Sequence, residues 1–137
     1  MSIQYIESSV YEEEQIKALY DNVKWTAYTD DIPKLVKAIE HSLAVITAWD
    51  NNKLIGLIRV VGDGYTIIYV QDILVLEEYQ NQGIGSELMQ RVLYKYHDVR
   101  QKVLLTNDAP DVQAFYEKNG FHSCDNGGLV AFAKMKE

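Results

Sequence analysis

A mixed β-sheet with helices on its faces, an α/β (α+β) architecture, is the fold class this sequence predicts, and three observations carry it. Three strand-like runs, 43–49, 53–61 and 65–76, follow one another with only turn residues between them, the pattern of an antiparallel meander. After the meander, helical and strand-like stretches alternate, as in βαβ-like units. No repeat, low-complexity tract or Pro/Gly-rich linker interrupts the 137 residues, so 1–137 reads as one domain, long enough to bury a sizeable core.

Residues 3–6 form a short first strand. Two helical stretches follow at 12–22 and 33–42, the first carrying Ile16, Leu19 and Tyr20 on one face and the second Leu35, Val36 and Ile39. Both prolines, Pro33 and Pro110, stand where a helix begins, a place where the missing N–H costs nothing. Asp50-Asn51-Asn52 joins 43–49 to 53–61 as a hairpin turn, and Gly62-Asp63-Gly64 marks the next turn. The run 65–76 is apolar on both faces, as for a central strand covered on both sides. In 83–96, Ile84, Leu88, Val92 and Tyr96 recur at helical spacing opposite a ladder of Glu87, Arg91 and Lys95. Residues 103–106 read as a strand and 111–119 as a helix with Gly120 as its C-cap. Residues 121–123 and 129–135, the latter alternating around Val130, Phe132 and Lys134, close the chain as strands. The expected order is β-α-α-β-β-β-α-β-α-β-β.

Composition narrows the function. Hydrophobic residues make up 47% and charged residues 24%, an ordinary globular mix. No window approaches the ~18 apolar residues of a membrane span, and the N-terminus lacks the basic and apolar regions of a signal peptide. A single cysteine, Cys124, excludes an internal disulfide framework or a cysteine-rich zinc site. A cytoplasmic protein with no membrane partner is therefore expected. The net charge of −7 argues against a nucleic-acid binder living on phosphate contacts. It favours cationic partners such as amines, or serves solubility alone.

The chemistry begins at Gln80-Asn81-Gln82-Gly83-Ile84-Gly85, a glycine-containing turn between the long strand and an amphipathic helix. N–H groups at a helix start have no intrahelical partner and the helix dipole is positive there, so the turn can hold a phosphate or pyrophosphate. A Walker A loop would need Lys-Ser/Thr after its second glycine, and none follows Gly85. A dinucleotide fingerprint would need a third glycine where Leu88 stands. The remaining pattern, Gln-x-x-Gly-x-Gly with its preceding strand from Ile73, resembles the acyl-CoA-binding signature of the GNAT superfamily of acetyltransferases. A second segment, Ala114-Phe115-Tyr116-Glu117-Lys118-Asn119-Gly120-Phe121, is similar to the later helix-and-strand motif of the same family. The element order matches a GNAT-like fold from end to end, and Gly56, Arg59 and Gly62-Asp63-Gly64 resemble a small stand-alone bacterial subgroup.

The resemblance implies acetyl-CoA as acyl donor, no metal, and direct transfer of acetyl to a primary amine of a small molecule or peptide. Glycines at 83 and 85 let backbone approach a pyrophosphate. The N–H groups of Gln82, Gly83, Gly85 and Ser86, within the turn that also holds Asn81 and Ile84, would be its donors. Gln80 would order the loop or reach a phosphate oxygen. The family's central strand splays from its neighbour and pairs with the pantetheine arm, a form of strand addition, which assigns that role to the backbone of Leu74, Val75 and Leu76. Phe115 and Asn107 complete the cofactor set. Many family members carry an asparagine where this chain has Ala109, and Asn107 is the candidate replacement.

By the same resemblance Tyr116 is the general acid to the departing thiolate; the competing reading is a core tyrosine sharing a helical face with Val112 and Phe115. Asp72 is the polar intrusion in the long strand. Desolvation there would favour its neutral form and suit it to deprotonate an ammonium; the competing reading is a structural hydrogen bond. Gln71, one residue earlier, is expected to point to the other face. Trp25 and Tyr28 form an acceptor-pocket wall or simple packing. Arg59 binds an acceptor carboxylate or pairs with Asp63. His41, His97 and His122 lack metal spacing, and Cys124 lies at a turn without a nucleophile's surroundings. Two other functions fit the residues, an acyl-CoA sensor without chemistry and an interaction domain without CoA. The terminal strands offer a route to a homodimer.

Overall fold

In the computed structural model, which describes residues 2–8 and 12–136, the sheet has five strands in the order β1-β2-β3-β4-β5. They are β1 (Ile3–Glu7), β2 (Ala44–Asp50), β3 (Lys53–Gly62), β4 (Ile67–Val75) and β5 (Gln101–Leu104). The first four are mutually antiparallel and β5 joins β4 in parallel. Met1, residues 9–11 and Glu137 lie outside the described residues. The helices are α1 (Glu13–Asn22), α2 (Thr26–Thr29), α3 (Ile32–Glu40), α4 (Ile84–Lys95) and α5 (Pro110–Lys118). Two 3₁₀ turns stand at Glu77–Tyr79 and Cys124–Asn126. By contacts the chain divides into two compact units, Met1–Leu105 and Thr106–Glu137.

In the first unit β3 is the spine. Leu54 to Val60 are all buried, so this strand is covered on both faces. Opposed residues on antiparallel strands share a face, which places Arg59 with Asp72 of β4 on the side where Tyr20 of α1 reaches the Asp72 carboxylate. Gly56, three residues from Arg59, faces the other way, and there the Leu88 side chain of α4 comes close. The α1 and α4 helices therefore cover opposite faces, Ile16, Leu19 and Tyr20 sealing one and Ile84, Leu88, Met89 and Val92 the other.

The boundaries follow local chemistry. Asp31 caps α3 by accepting from the Lys34 N–H at 3.2 Å, with a proline in the first turn. In the β3–β4 turn the Asp63 carboxylate accepts from the N–H groups of Tyr65, Thr66 and Ile67. These bonds, led by that from the Thr66 hydroxyl, hold it well below the usual carboxylate range. Gly62 (φ 132) is obligatory there, since a Cβ would lie 2.4 Å from the Ile67 carbonyl oxygen.

The second unit departs from the sequence reading. Neither 121–123 nor 129–135 forms a strand among the described residues; a 3₁₀ turn at Cys124–Asn126 is followed by irregular chain. Leu129, Val130 and Met135 are exposed and Phe132 is 94% exposed. Alternation gives a segment the capacity to cover a core, but a strand exists only where another strand satisfies its N–H and C=O groups, and here none pairs with it. The expected order thus loses its last two strands, and α2, four residues too short to show periodicity, is added. The strand expected at 103–106 lies two residues earlier, where Gln101 to Leu104 meet Ile67 to Val70.

Candidate active site

One half of the candidate site is built from backbone. β4 runs to Val75 but pairs with β5 only over Ile67 to Val70. Among the described residues, β4 from Gln71 to Val75, Leu74 included, has no strand partner on that side, although β3 accompanies it as far as the Gly56–Val75 pair. Leu76 follows, its N–H donated to the Ile55 carbonyl. The chain then turns through Glu77–Tyr79 into Gln80, whose Nε2 donates to the Val75 carbonyl at 2.9 Å and ties the loop to the strand end. Asn81 (φ 64) and Gly83 (φ 83) are both left-handed, reversing the chain into α4. A Cβ on Gly83 would meet nothing within 4 Å, so glycine serves the conformation while the space above it stays open. Gly83 at the N-cap supplies no side-chain cap, and the first N–H groups of the helix, from Gly83, Ile84 and Gly85, lie at the positive end of the dipole beside Gln82 and Ser86.

The second half is a side-chain network around Asp72, which is 1% exposed. Its Oδ2 accepts from Arg59 Nε at 2.8 Å and from the Tyr20 hydroxyl at 2.8 Å, and its Oδ1 accepts from the Tyr28 hydroxyl at 2.9 Å. Arg59 is 6% exposed, and its Nη1 also lies 3.4 Å from Ser42 Oγ. Burial opposes the Arg59 charge, but the Asp72 carboxylate beside it outweighs this and raises its pKa. Both tyrosine hydroxyls are pushed up, first by burial and then by the Asp72 charge, so they stay protonated as donors. Tyr20, Trp25 and Tyr28 form a cluster of three rings, with Tyr20 and Tyr28 edge to face at 5.3 Å.

Three expectations change here. Asp72 is not a lone desolvated carboxylate, because a guanidinium and two hydroxyls compensate its charge. Arg59 pairs with Asp72 and not with Asp63, and its burial removes it from the role of binding an acceptor carboxylate. Gln71 does not point away from the network: its Nε2 donates to the Tyr28 hydroxyl at 2.9 Å. The cause is a β-bulge. Arg59 pairs with Asp72 and Val60 with Val70, which leaves Gln71 as the extra residue of β4. Tyr20 and Gln71 are the members the sequence reading missed. The one signal for Tyr20 is a hydroxyl on the apolar face of α1.

In the second unit Tyr116 is half-buried on α5, its ring edge to face with Phe115 at 5.1 Å and with Phe121 at 6.0 Å. Burial raises the Tyr116 pKa against the opposing effect of a hydrogen bond from the Thr106 side chain, so the hydroxyl is protonated at neutral pH. Ala109 is the extended residue preceding α5, and its N–H donates to the Asn107 carbonyl at 3.0 Å. Among the described residues no cluster of His, Cys, Asp and Glu is gathered for a metal, and no helix is long and apolar enough to cross a membrane.

The GNAT acetyltransferase domain model matches residues 41–123, a span containing the open half of β4, the turn, and α5 with Tyr116. The chain belongs to the GNAT acetyltransferase family. That membership makes it an acyltransferase by class. An uncharacterised ycf52-like N-acetyltransferase of Prochlorococcus marinus is 30% identical over 123 residues, which cover 86% of this chain and 67% of that protein. The ycf52 N-acetyltransferase of Porphyra purpurea is 26% identical over 117 residues, 82% of this chain but only 64% of the relative's length. Among solved structures, a GNAT-family acetyltransferase from Streptococcus pneumoniae TIGR4 superposes with a TM-score of 0.82 at 32% identity, covering 98% of this chain and 100% of that one. An aminoglycoside N-acetyltransferase solved with CoA shares the fold, with a TM-score of 0.75 at 16% identity over 98% of this chain and 95% of its own.

Proposed function

We propose that the whole chain, 1–137, acts as one N-acetyltransferase domain that moves acetyl from acetyl-CoA directly to a primary amine of a small molecule or peptide. The observation that carries this is the half-open β4. Among the described residues its backbone from Gln71 to Val75 lacks a strand partner on the β5 side, and it leads into a helix start with no side-chain cap. An extended amide-bearing arm can pair with such a strand while its pyrophosphate meets the N–H groups of the turn. Family membership and the CoA-bound structural neighbour support acetyl-CoA as that ligand.

In the reaction the amine nitrogen bonds to the thioester carbonyl carbon, and a backbone donor of β4 stabilises the oxyanion. The tetrahedral intermediate collapses with cleavage of the C–S bond. The amine's surplus proton passes to water, and the leaving thiolate takes the proton of Tyr116, which solvent restores. Asp72 is a positioning residue: its contacts with Arg59, Tyr20 and Tyr28 hold the acceptor side rigid, so that orientation supplies much of the acceleration. A raised Tyr116 pKa keeps the acid protonated up to and beyond the ordinary phenol value of 10.0. Turnover should therefore rise with pH as the amine loses its proton and show no alkaline fall below that value.

The test is thiol release from acetyl-CoA across a polyamine, an aminoglycoside, an amino acid and a lysine peptide. Wild-type protein releases thiol with at least one amine, and Tyr116→Phe lowers turnover about 10²-fold with acetyl-CoA affinity unchanged. Tight acetyl-CoA binding without thiol release would turn the reading toward a sensor.

A further inference from the structure

The segment 129–135 and the outer side of β5 each lack what the other can supply. Among the described residues, 128–136 make no backbone hydrogen bond, and every residue from 129 to 136 is exposed. Extended, the segment puts Val130 and Phe132 on one face and Leu129, Ala131, Ala133 and Met135 on the other. Apolar residues on both faces suit a strand that is covered on both sides. In the single chain they lie in water instead, a state the hydrophobic effect disfavours. The strand β5 has the opposite deficit. It ends the sheet order and pairs with β4 on one side, and among the described residues no strand lies on its other side. Lys102, Val103 and Leu104 are half-buried there, and Leu105 after them is exposed. An unpaired edge of this kind is a template for a further strand.

We infer that 129–135 of one copy adds as a strand to the outer edge of β5 in a second copy, which returns the pairing in a two-fold exchange. The lengths match: seven residues at ~3.3 Å each span about 23 Å, enough to cover all four residues of β5. Gly127 and Gly128, where an added Cβ would meet nothing within 4 Å, give the chain a free joint just before the segment. Charge favours a second copy as the occupant. The stretch 129–136 carries Lys134 and Lys136 and no acidic residue, while the chain as a whole has a net charge of −7. The segment is therefore attracted to the body of another copy. Each copy supplies one edge and one strand, so reciprocal exchange uses up both and stops at two chains. One-way addition would leave an edge and a strand free at the ends and continue into a fibre. The inference goes beyond acetyl transfer and does not depend on it.

The first measurement is the mass of the full chain by size-exclusion chromatography with light scattering, over a dilution series. Wild type should be a dimer, with a melting temperature that rises with protein concentration. Ala131→Pro removes an N–H from the added strand, and Phe132→Asp puts a charge where the ring would be covered. Each should weaken dimerisation about thirtyfold or more. Both positions are exposed in the single chain, so the variants should keep the wild-type circular dichroism spectrum. Disulfide trapping then locates the contact without either variant, so misfolding of one leaves the question decidable. With Cys124→Ser throughout, a tagged Val103→Cys chain is co-expressed with an untagged chain carrying Val130→Cys, Ala131→Cys, Phe132→Cys or Ala133→Cys, and the pair is oxidised. At least one combination should cross-link the tagged chain to the untagged one. A wild type that stays monomeric, a dimer that both variants leave intact, or no such cross-link in any combination overturns the inference.

Discussion

The network around Asp72 sits within β4 and the turn at 80–85 follows the end of that strand, and they are made of different material. The turn is backbone: two left-handed residues, a glutamine tied to the strand end and a helix start with no side-chain cap, all within a few residues. The network is side chain: a buried ion pair and two tyrosines drawn from α1, α2, β3 and β4. A backbone cradle suits a donor whose pyrophosphate and amides never change. A side-chain network suits an acceptor, because exchanging one residue alters specificity without disturbing the donor site.

The comparison breaks most visibly at Asp72. Asp72→Ala leaves Arg59 buried without a counter-charge and removes the acceptor for two hydroxyls, and should cost about 3–5 kcal/mol in urea denaturation. Pairing it with Arg59→Met removes the orphaned charge and should recover most of that stability while amine binding stays lost. Full stability in Asp72→Ala would show that the network is not the organiser described here.

Gly83→Val probes the other half and should act mainly on the ligand. Its φ of 83 strains any side chain, by about 1–2 kcal/mol for a left-handed residue, and the added methyl groups enter the open space above the turn. CoA affinity measured by calorimetry should fall at least about tenfold, with the Asp72 network undisturbed. Unchanged CoA affinity would remove the turn from the donor site.

Alkaline titration separates the halves more gently. Tyr20 and Tyr28 have pKa values raised above the ordinary 10.0, so above that pH the unfolded chain loses protons that the folded chain keeps. The unfolded state then binds fewer protons, and stability must fall as pH rises through and beyond 10. Denaturation midpoints should be flat up to that region and decline above it, and Tyr20→Phe should flatten the decline. CoA binding through the amides of the turn should not follow this profile, since those groups do not titrate.

The two halves also differ in how far the sequence reveals them. The turn is local, so glycine spacing after an apolar run identifies it without any tertiary knowledge. The network joins residues 52, 44 and 43 positions apart, Tyr20 with Asp72, Tyr28 with Asp72 and Gln71 with Tyr28. No periodicity reports such contacts, and strict alternation sends Gln71 to the wrong face because a bulge is invisible in a hydrophobic pattern. Residues 129–135 teach the complementary lesson. They alternate as convincingly as 43–49, yet 44–50 has strands on both sides and 129–135 has none. Alternation states which face a strand would bury, while pairing decides whether the strand forms.

The most direct test of the division between backbone donor site and side-chain acceptor site is a CoA titration followed by backbone amide NMR. The largest shifts should fall on Gln82, Gly83, Gly85 and Ser86, followed by Leu74 to Leu76, with the indole and side-chain amide signals of Trp25 and Gln71 responding only when an amine is added. Shifts centred instead on the surface concavity between β1 and α4, lined by Tyr5, Arg91 and Tyr94, or absent from 82–86 at saturating CoA, would contradict the account.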